Sequence, residues 1–314
     1  MSRVHDALRR AEQLAAQSAA STPAPPAATQ AVATEDGSVS VGTVVAATPV
    51  APARRVSPTP ELLTKIRQIP FTPSPDAHLI NLYKASDAPA EEFRSLRTRL
   101  NHLQSLQPLH TVVITSPSPA EGKSFAAANI AITQAQLSGN RTLLIDCDFR
   151  RPIIHSFFQT DRSPGLTDYI QGTATLDDCL RRIEESELYI LPAGSAVVNP
   201  LELLNRIEMK QLMDQLSTVF NWVLLDSPPL LFAADANLLS TLSSGTVLVV
   251  RIGSTTVDSI TRAMQSLCHN NVLGIVANGA RRGELYSKYT YYHSYYYTGP
   301  EDTPAEQQEA PKQA

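Results

Sequence analysis

Beyond residue 110, short runs of aliphatic and β-branched residues recur between longer stretches of helical spacing: Thr111–Thr115, Thr142–Asp146, Leu188–Leu191, Trp222–Asp226, Thr246–Arg251 and Gly274–Asn278. None keeps a polar face by strict alternation, which is the pattern of a strand buried on both sides. Strands interspersed with amphipathic helices predict an α/β fold, a mostly parallel central sheet with helices on both faces. Ligands of such folds bind at the carboxyl ends of the strands. Just ahead of the first run, Glu91–Leu100 reads as a charged helix with Phe93, Leu96 and Leu100 on its apolar side.

The N-terminal region has a different pattern. Val4, Leu8, Ala11 and Ala15 stand at helical spacing, so residues 1–18 predict a short amphipathic helix. A helix of that length is marginal in water and is expected to gain its order by docking. Residues 19–75 are rich in Ala, Pro, Thr, Ser and Val and are read as a disordered linker. A folded domain over 76–283 and a tyrosine-rich, polar tail over 284–314 complete the expected organisation.

Composition narrows the class. The 314 residues are 43% hydrophobic and 18% charged, ordinary for a globular body, while many of the 23 prolines crowd into the early linker. A net charge of −4 gives no basic face for nucleic acid, so none is expected as a partner. Cys147, Cys179 and Cys268 are too scattered for a disulfide framework or a zinc site. No run approaches the roughly 18 apolar residues of a membrane span, and the charged start lacks the apolar stretch of a signal peptide. A cytoplasmic location is the expectation.

Directly after the first strand comes Thr115-Ser-Pro-Ser-Pro-Ala-Glu-Gly-Lys-Ser124, followed by the helix-forming Phe125-Ala-Ala-Ala-Asn-Ile-Ala. Strand, loop and helix in this order form a Walker A phosphate loop. Its backbone N–H groups and helix N-terminus face a triphosphate, its lysine reaches the β- and γ-phosphates, and its serine binds Mg2+. Ser118, Pro119, Ala120, Glu121, Gly122, Lys123, Ser124 and Phe125 are therefore the expected nucleotide contacts. Pro117 stands where the usual motif has its first glycine.

Acidic residues close two later strands. Asp146 and Asp148 end Leu143-Leu-Ile-Asp-Cys-Asp148, with Arg150 in the loop beyond, and Asp226 ends Trp222-Val-Leu-Leu-Asp226 at a Walker B position. Paired carboxylates at strand ends suit magnesium binding and acceptance of a hydroxyl proton. The expected set is Lys123, Asp146, Asp148 and Asp226 for catalysis and Ser124, Asp146, Asp148 and Asp226 for metal, with Arg150 beside the nucleotide.

Together these pieces resemble the bacterial tyrosine kinase family of capsule and exopolysaccharide systems. The resemblance covers roughly Pro75 to Tyr297. Its marks are Ser118-Pro-Ala-Glu-Gly-Lys-Ser124, Leu144-Ile-Asp-Cys-Asp-Phe-Arg-Arg-Pro152 and Leu224-Leu-Asp-Ser-Pro-Pro229. Gly165-Leu-Thr-Asp168, Leu191-Pro-Ala-Gly194, Asn199-Pro-Leu-Glu-Leu-Leu204 and Ala277-Asn-Gly279 also match. The resemblance implies ATP-dependent tyrosine phosphorylation, with Asp146 and Asp148 in magnesium binding and tyrosine activation and Asp226 supporting the metal. Glu91, Arg94 and Arg97 fit the family's Glu-x-x-Arg-x-x-Arg pattern, which implies contact with a neighbouring subunit in a homo-oligomer, a ring. Further implied are a separate membrane-anchored polysaccharide co-polymerase as activator, a tyrosine phosphatase, and a place at the inner membrane through that partner. The family usually has glycine where Ala120 stands and threonine where Phe125 stands. A positive φ at Ala120 would cost roughly 1 kcal/mol.

Seven of the ten tyrosines, Tyr286, Tyr289, Tyr291, Tyr292, Tyr295, Tyr296 and Tyr297, crowd into the tail. Such density exceeds any core requirement, and the cluster is expected to be the autophosphorylation substrate. The main alternatives are an ATPase switch of the partitioning and septum-positioning kind, or an assembly protein without catalysis. The switch proteins carry an early lysine in the phosphate loop, and Ser116-Pro-Ser118 offers none.

Overall fold

The computed structural model describes residue 63 and residues 65–82, 88–267 and 272–280. Eight strands form one sheet in the order β1-β4-β5-β3-β6-β2-β7-β8. They are β1 (Arg67–Ile69), β2 (Thr111–Thr115), β3 (Thr142–Asp146), β4 (Arg181–Ile183), β5 (Leu188–Leu191), β6 (Trp222–Asp226), β7 (Gly245–Arg251) and β8 (Val272–Asn278). Every pairing is parallel except that of β4 with β5. The six strands expected from apolar runs are present, and the two additional ones are short.

Alternation within β2, β3 and β6 sends side chains to two core clusters, and Leu248 and Val250 of β7 join a smaller third one. Val113, Leu143, Ile145, Val223 and Leu225 join one cluster, and Val112, Ile114, Leu144, Trp222 and Leu224 join the other. The helices α1 (Ala88–Leu106) and α2 (Lys123–Ala135) cover the second face. The first face is covered by helices that include α4 (Leu166–Gln171) and α7 (Ile207–Val219). Four further helices are α3 (Ile154–Phe157), α5 (Leu176–Cys179), α6 (Pro200–Leu204) and α8 (Ala234–Thr241), and α9 (Val257–Ser266) precedes β8. No described helix is long and apolar enough to cross a membrane.

The expected linker boundary at residue 75 is corrected. Leu63, Ile66, Ile69, Ile80 and Leu82 are buried in the core, and β1 pairs with β4. Backbone bonds hold the same segment: the Ile69 carbonyl accepts from the Glu184 N–H at 2.9 Å, and the Ser74 N–H donates to the Phe157 carbonyl at 3.0 Å. The pairing is made with a strand more than a hundred residues away in sequence, so no local periodicity announces it. The expected docking helix at 1–18, Cys268 and the tyrosine cluster lie outside the described residues.

The loops that carry chemistry converge because the strand ends are in register. Asp146 on β3 lies opposite Asp226 on β6, and Asp226 in turn lies opposite Ile114 on β2, one residue before the phosphate loop starts.

Candidate active site

The phosphate loop runs from the end of β2 into α2 with an alternating backbone. Ala120 has φ +62°, and Gly122, at the N-cap of α2, has φ +93°. Glycine is required at 122 for two reasons. The left-handed conformation disfavours a Cβ, and a Cβ there would lie 2.0 Å from Asn278 Nδ2. Pro117 is accommodated because the loop needs only its carbonyl, which accepts from the Leu231 N–H at 3.3 Å. The positive φ at Ala120 is the strain anticipated above. Because the ligand-free loop already holds this conformation, we expect Ala120→Gly to stabilise the folded protein by roughly 1 kcal/mol, as read by urea unfolding, with ADP affinity little changed.

Lys123 reaches back over the strand ends. Its Nζ lies 2.8 Å from Asp148 Oδ2 and 3.6 Å from Asp226 Oδ1, and it donates to Ser124 Oγ at 3.1 Å. Burial pulls the Lys123 ammonium down, but Asp226, Asp148 and Asp146 together outweigh it, so its pKa is raised and the charge is kept.

The three carboxylates have different surroundings. Asp146 Oδ2 accepts from the N–H groups of Ile153 and Ile154, both at 3.0 Å, and Oδ1 accepts from the Asp148 N–H at 3.2 Å. It thereby ties the loop after β3 to the start of α3. Burial, then the neighbouring Asp226, push its pKa well above the usual carboxylate range. Asp148 accepts from the Arg151 N–H on one oxygen and pairs with Lys123 on the other. Asp226 is fully buried and neither of its oxygens has a hydrogen bond of good geometry. A buried carboxylate left in this condition is unusual and fits a site for a cation that completes it. Among the described residues no three His, Cys, Asp or Glu side chains form a metal cage.

Burial pushes Asp226 up to about 6, against the opposing pull of Lys123 and Ser124. Relative to an exposed aspartate this corresponds to about 3 kcal/mol. The raised value means that ionised Asp226 burdens the fold above pH 6 and that the burden disappears as pH falls toward the value of the unfolded chain. Asp226→Asn should therefore stabilise the ligand-free protein by about 2–3 kcal/mol at pH 8. Urea unfolding in chelator should show the gap between the two proteins closing as pH falls from 6 to about 4.

A cavity of about 330 Å³ opens beside these groups, lined by residues that include Lys123, Ser124, Asp148, Arg151, Ile153 and Phe232. Phe232 is 68% exposed and Ile153 40% exposed, and exposed Arg150 and Arg151 stand beside them, so the open rim mixes apolar and basic side chains while Lys123 and Asp148 lie deeper. Arg150 also borders it, with its guanidinium engaged on Asp235 of α8 at 2.8 and 3.4 Å. Phe125 turns the other way, packing edge-on to Phe93 of α1 at 5.8 Å. Of the α1 charges, Glu91 pairs with Arg94, and Arg97 donates to the Thr133 carbonyl of α2 at 2.9 Å. The Gly165–Asp168 segment has a structural use, since Asp168 Oδ2 accepts from the N–H of Gly165 and of Ser195 and from the Ser163 hydroxyl.

No family profile matches the chain. A tyrosine-protein kinase of Bacillus subtilis, YwqD, is 34% identical over 205 residues, covering 65% of this chain and 86% of that protein. The chain belongs to the bacterial tyrosine-protein kinases. A second relative of this kinase, the putative tyrosine-protein kinase EpsB of Ralstonia solanacearum, is 35% identical over 214 residues, but the match spans only 28% of its length. Among solved structures, the kinase domain of the Escherichia coli tyrosine kinase ETK aligns with a TM-score of 0.59 and 28% identity, over 71% of this chain and 94% of that domain. All the catalytic and metal candidates singled out in the kinase sequence converge on one strand-end cluster. Sequence reasoning missed Arg251, Thr255 and Asp235, which hold the cluster's loops, because nothing in the local pattern marks them.

Proposed function

We propose that this kinase transfers the γ-phosphoryl group of ATP to tyrosine, with its own cluster Tyr286–Tyr297 as acceptor, and that the reaction regulates export of an extracellular polysaccharide. The observation that carries the reading is the Lys123–Asp148 ion pair within an open cavity beside the phosphate loop. A phosphate-binding cation and a carboxylate that its departure would free to take a proton stand in direct contact there.

The nucleotide's phosphates lie over the Ser118–Ser124 loop, and Lys123 leaves Asp148 to follow the γ-phosphate. Its departure frees the Asp148 carboxylate. A tyrosine ring enters between Phe232 and Ile153, and its hydroxyl oxygen forms the new bond to the γ-phosphorus as the bond to the β–γ bridging oxygen breaks. Asp148 accepts the phenolic proton, and ADP leaves. A tyrosine with an ordinary pKa of about 10 needs this alignment more than prior ionisation. Ser124 and Asp226 would hold Mg2+, which when bound neutralises charge on the transferring phosphoryl group.

The phosphorylated tail would carry about −1.5 to −2 charges per site near neutral pH, enough for several phosphates to repel one another. On this reading phosphorylation loosens a ring of copies joined through Glu91, Arg94 and Arg97, and a phosphatase resets it. A membrane-anchored co-polymerase supplies the link to the inner membrane.

The test is incubation of the purified protein with Mg-ATP, followed by mass spectrometry and assay of released phosphate. Phosphate on residues 286–297 is expected. Phosphate release without phosphotyrosine would instead favour an ATPase switch, and modification confined to other tyrosines would refute the tail as acceptor.

A further inference from the structure

The phosphate loop is held from behind by side chains that do not belong to it. Arg251, the last residue of β7, donates through Nη1 to the Ala120 carbonyl at 3.2 Å. Asn278, the last residue of β8, donates through Nδ2 to the Glu121 carbonyl at 2.9 Å. Within a trans peptide the C=O and the following N–H point in opposite directions. Fixing the carbonyls of Ala120 and Glu121 toward the β7 and β8 ends therefore turns the N–H groups of Glu121 and Gly122 away from them, toward the side on which phosphate is bound.

The third hold acts through the Glu121 side chain, which is only 2% exposed although it is a carboxylate beneath an anion-binding loop. Its Oε2 accepts from the Ser118 N–H at 2.8 Å and its Oε1 from the Thr255 hydroxyl at 2.5 Å. Thr255 Oγ1 in turn accepts from the Arg251 N–H at 2.8 Å, so the hydroxyl hydrogen is committed to Glu121. Two donors on the carboxylate keep its charge turned away from the ligand side. Without Thr255, a buried carboxylate would lose one of its two partners next to the place where a polyphosphate must sit.

We propose that Thr255, Arg251 and Asn278 form a clamp that sets the phosphate loop in its anion-binding form, with Thr255 acting through Glu121 as a positioning residue. The clamp also accounts for the left-handed Ala120, because the Arg251 bond to its carbonyl holds the backbone in a conformation alanine disfavours. The inference rests on the nucleotide reading given above and assigns the shape of that site to residues outside the Walker motifs.

The experiment compares ADP affinity, in the presence of Mg2+, for the full chain and for Thr255→Val, Thr255→Ser and Arg251→Ala. Displacement of a fluescent ADP analogue would be read at a temperature where every variant is folded. Thr255→Val keeps the shape of the side chain and removes the hydroxyl, and is expected to weaken ADP about tenfold. Thr255→Ser restores the donor and should bind within about twofold of the unaltered chain, with Arg251→Ala, at an exposed side chain, about threefold weaker. A merely structural role would lower the thermal midpoint and leave the affinity of the folded protein unchanged. Equal ADP affinity for the unaltered chain, Thr255→Val and Arg251→Ala would overturn the clamp alone. Equal weakening by Thr255→Val and Thr255→Ser would remove the hydroxyl from the argument and overturn it as well. Failure of the unaltered chain to bind ADP would sink the nucleotide reading and the clamp with it.

Discussion

Lys123→Met should lower tyrosine phosphorylation by about a thousandfold while leaving the fold intact. The ammonium sits at the N-terminus of α2 within reach of Asp148 and Asp226, and among the described residues it is the one cation that pairs with either. Methionine has nearly the same length and fills the same space, so the loss isolates the charge. Because the substitution leaves the Asp146, Asp148 and Asp226 carboxylates together without a counter-charge, the ligand-free variant should also melt earlier than the unaltered protein, and more so at pH 8 than at pH 5. The sign follows from the raised Asp226 pKa of about 6. Below it the cluster sheds negative charge by protonation, and above it the missing lysine is most needed. Quantitative phosphotyrosine immunoblotting and calorimetric melting at the two pH values check the two halves.

The second large effect is expected at Asp148. Asp148→Asn should reduce kcat by about a hundredfold or more, the contribution of a positioned proton acceptor. ADP should bind at least as tightly as to the unaltered protein, because Lys123 no longer has to leave an ion pair to reach phosphate. The sequence left open whether Asp146 or Asp148 takes the proton, and the surroundings of the two separate them. Asp146 has its oxygens committed to three backbone N–H groups that shape the 146–154 loop, whereas Asp148 borders the cavity. Single-turnover phosphorylation with saturating Mg-ATP, alongside ADP titration, would separate chemistry from binding. A parallel rise in KM with kcat unchanged would remove Asp148 from the proton-transfer role.

Much of this kinase is legible in its sequence because the signals are local. A strand buried on both faces is apolar at most positions, so β2, β3, β5, β6 and β7 announce themselves as short runs, and β8, at the end of the sheet with no buried position, does so through the same aliphatic content. The phosphate loop is a contiguous string whose chemistry follows from backbone N–H groups and one lysine. Carboxylates immediately after apolar strands are conspicuous because ionised groups avoid such places without a task. The segment around β1 was invisible for the opposite reason. Its three strand residues carry two exposed positions and one buried one, and its order comes from pairing with β4 and from the Glu184 N–H on the Ile69 carbonyl.

What the sequence by itself determined is therefore the fold class, the phosphate loop and the identity of the carboxylates, since each rests on residue type within a few positions along the chain. Tertiary structure decided how those residues divide the work. Register across β3, β6 and β2 brought Asp146, Asp148, Asp226 and Lys123 to one point. Differences in hydrogen bonding then distinguished Asp146, committed to the backbone, from Asp148, paired with Lys123, and from Asp226, left without a good donor. The shape of the phosphate loop depends on Arg251, Thr255 and Asn278, which lie more than a hundred residues downstream. Hydrogen bonds of that span are set by packing and strand order, and the one-dimensional pattern carries no record of them.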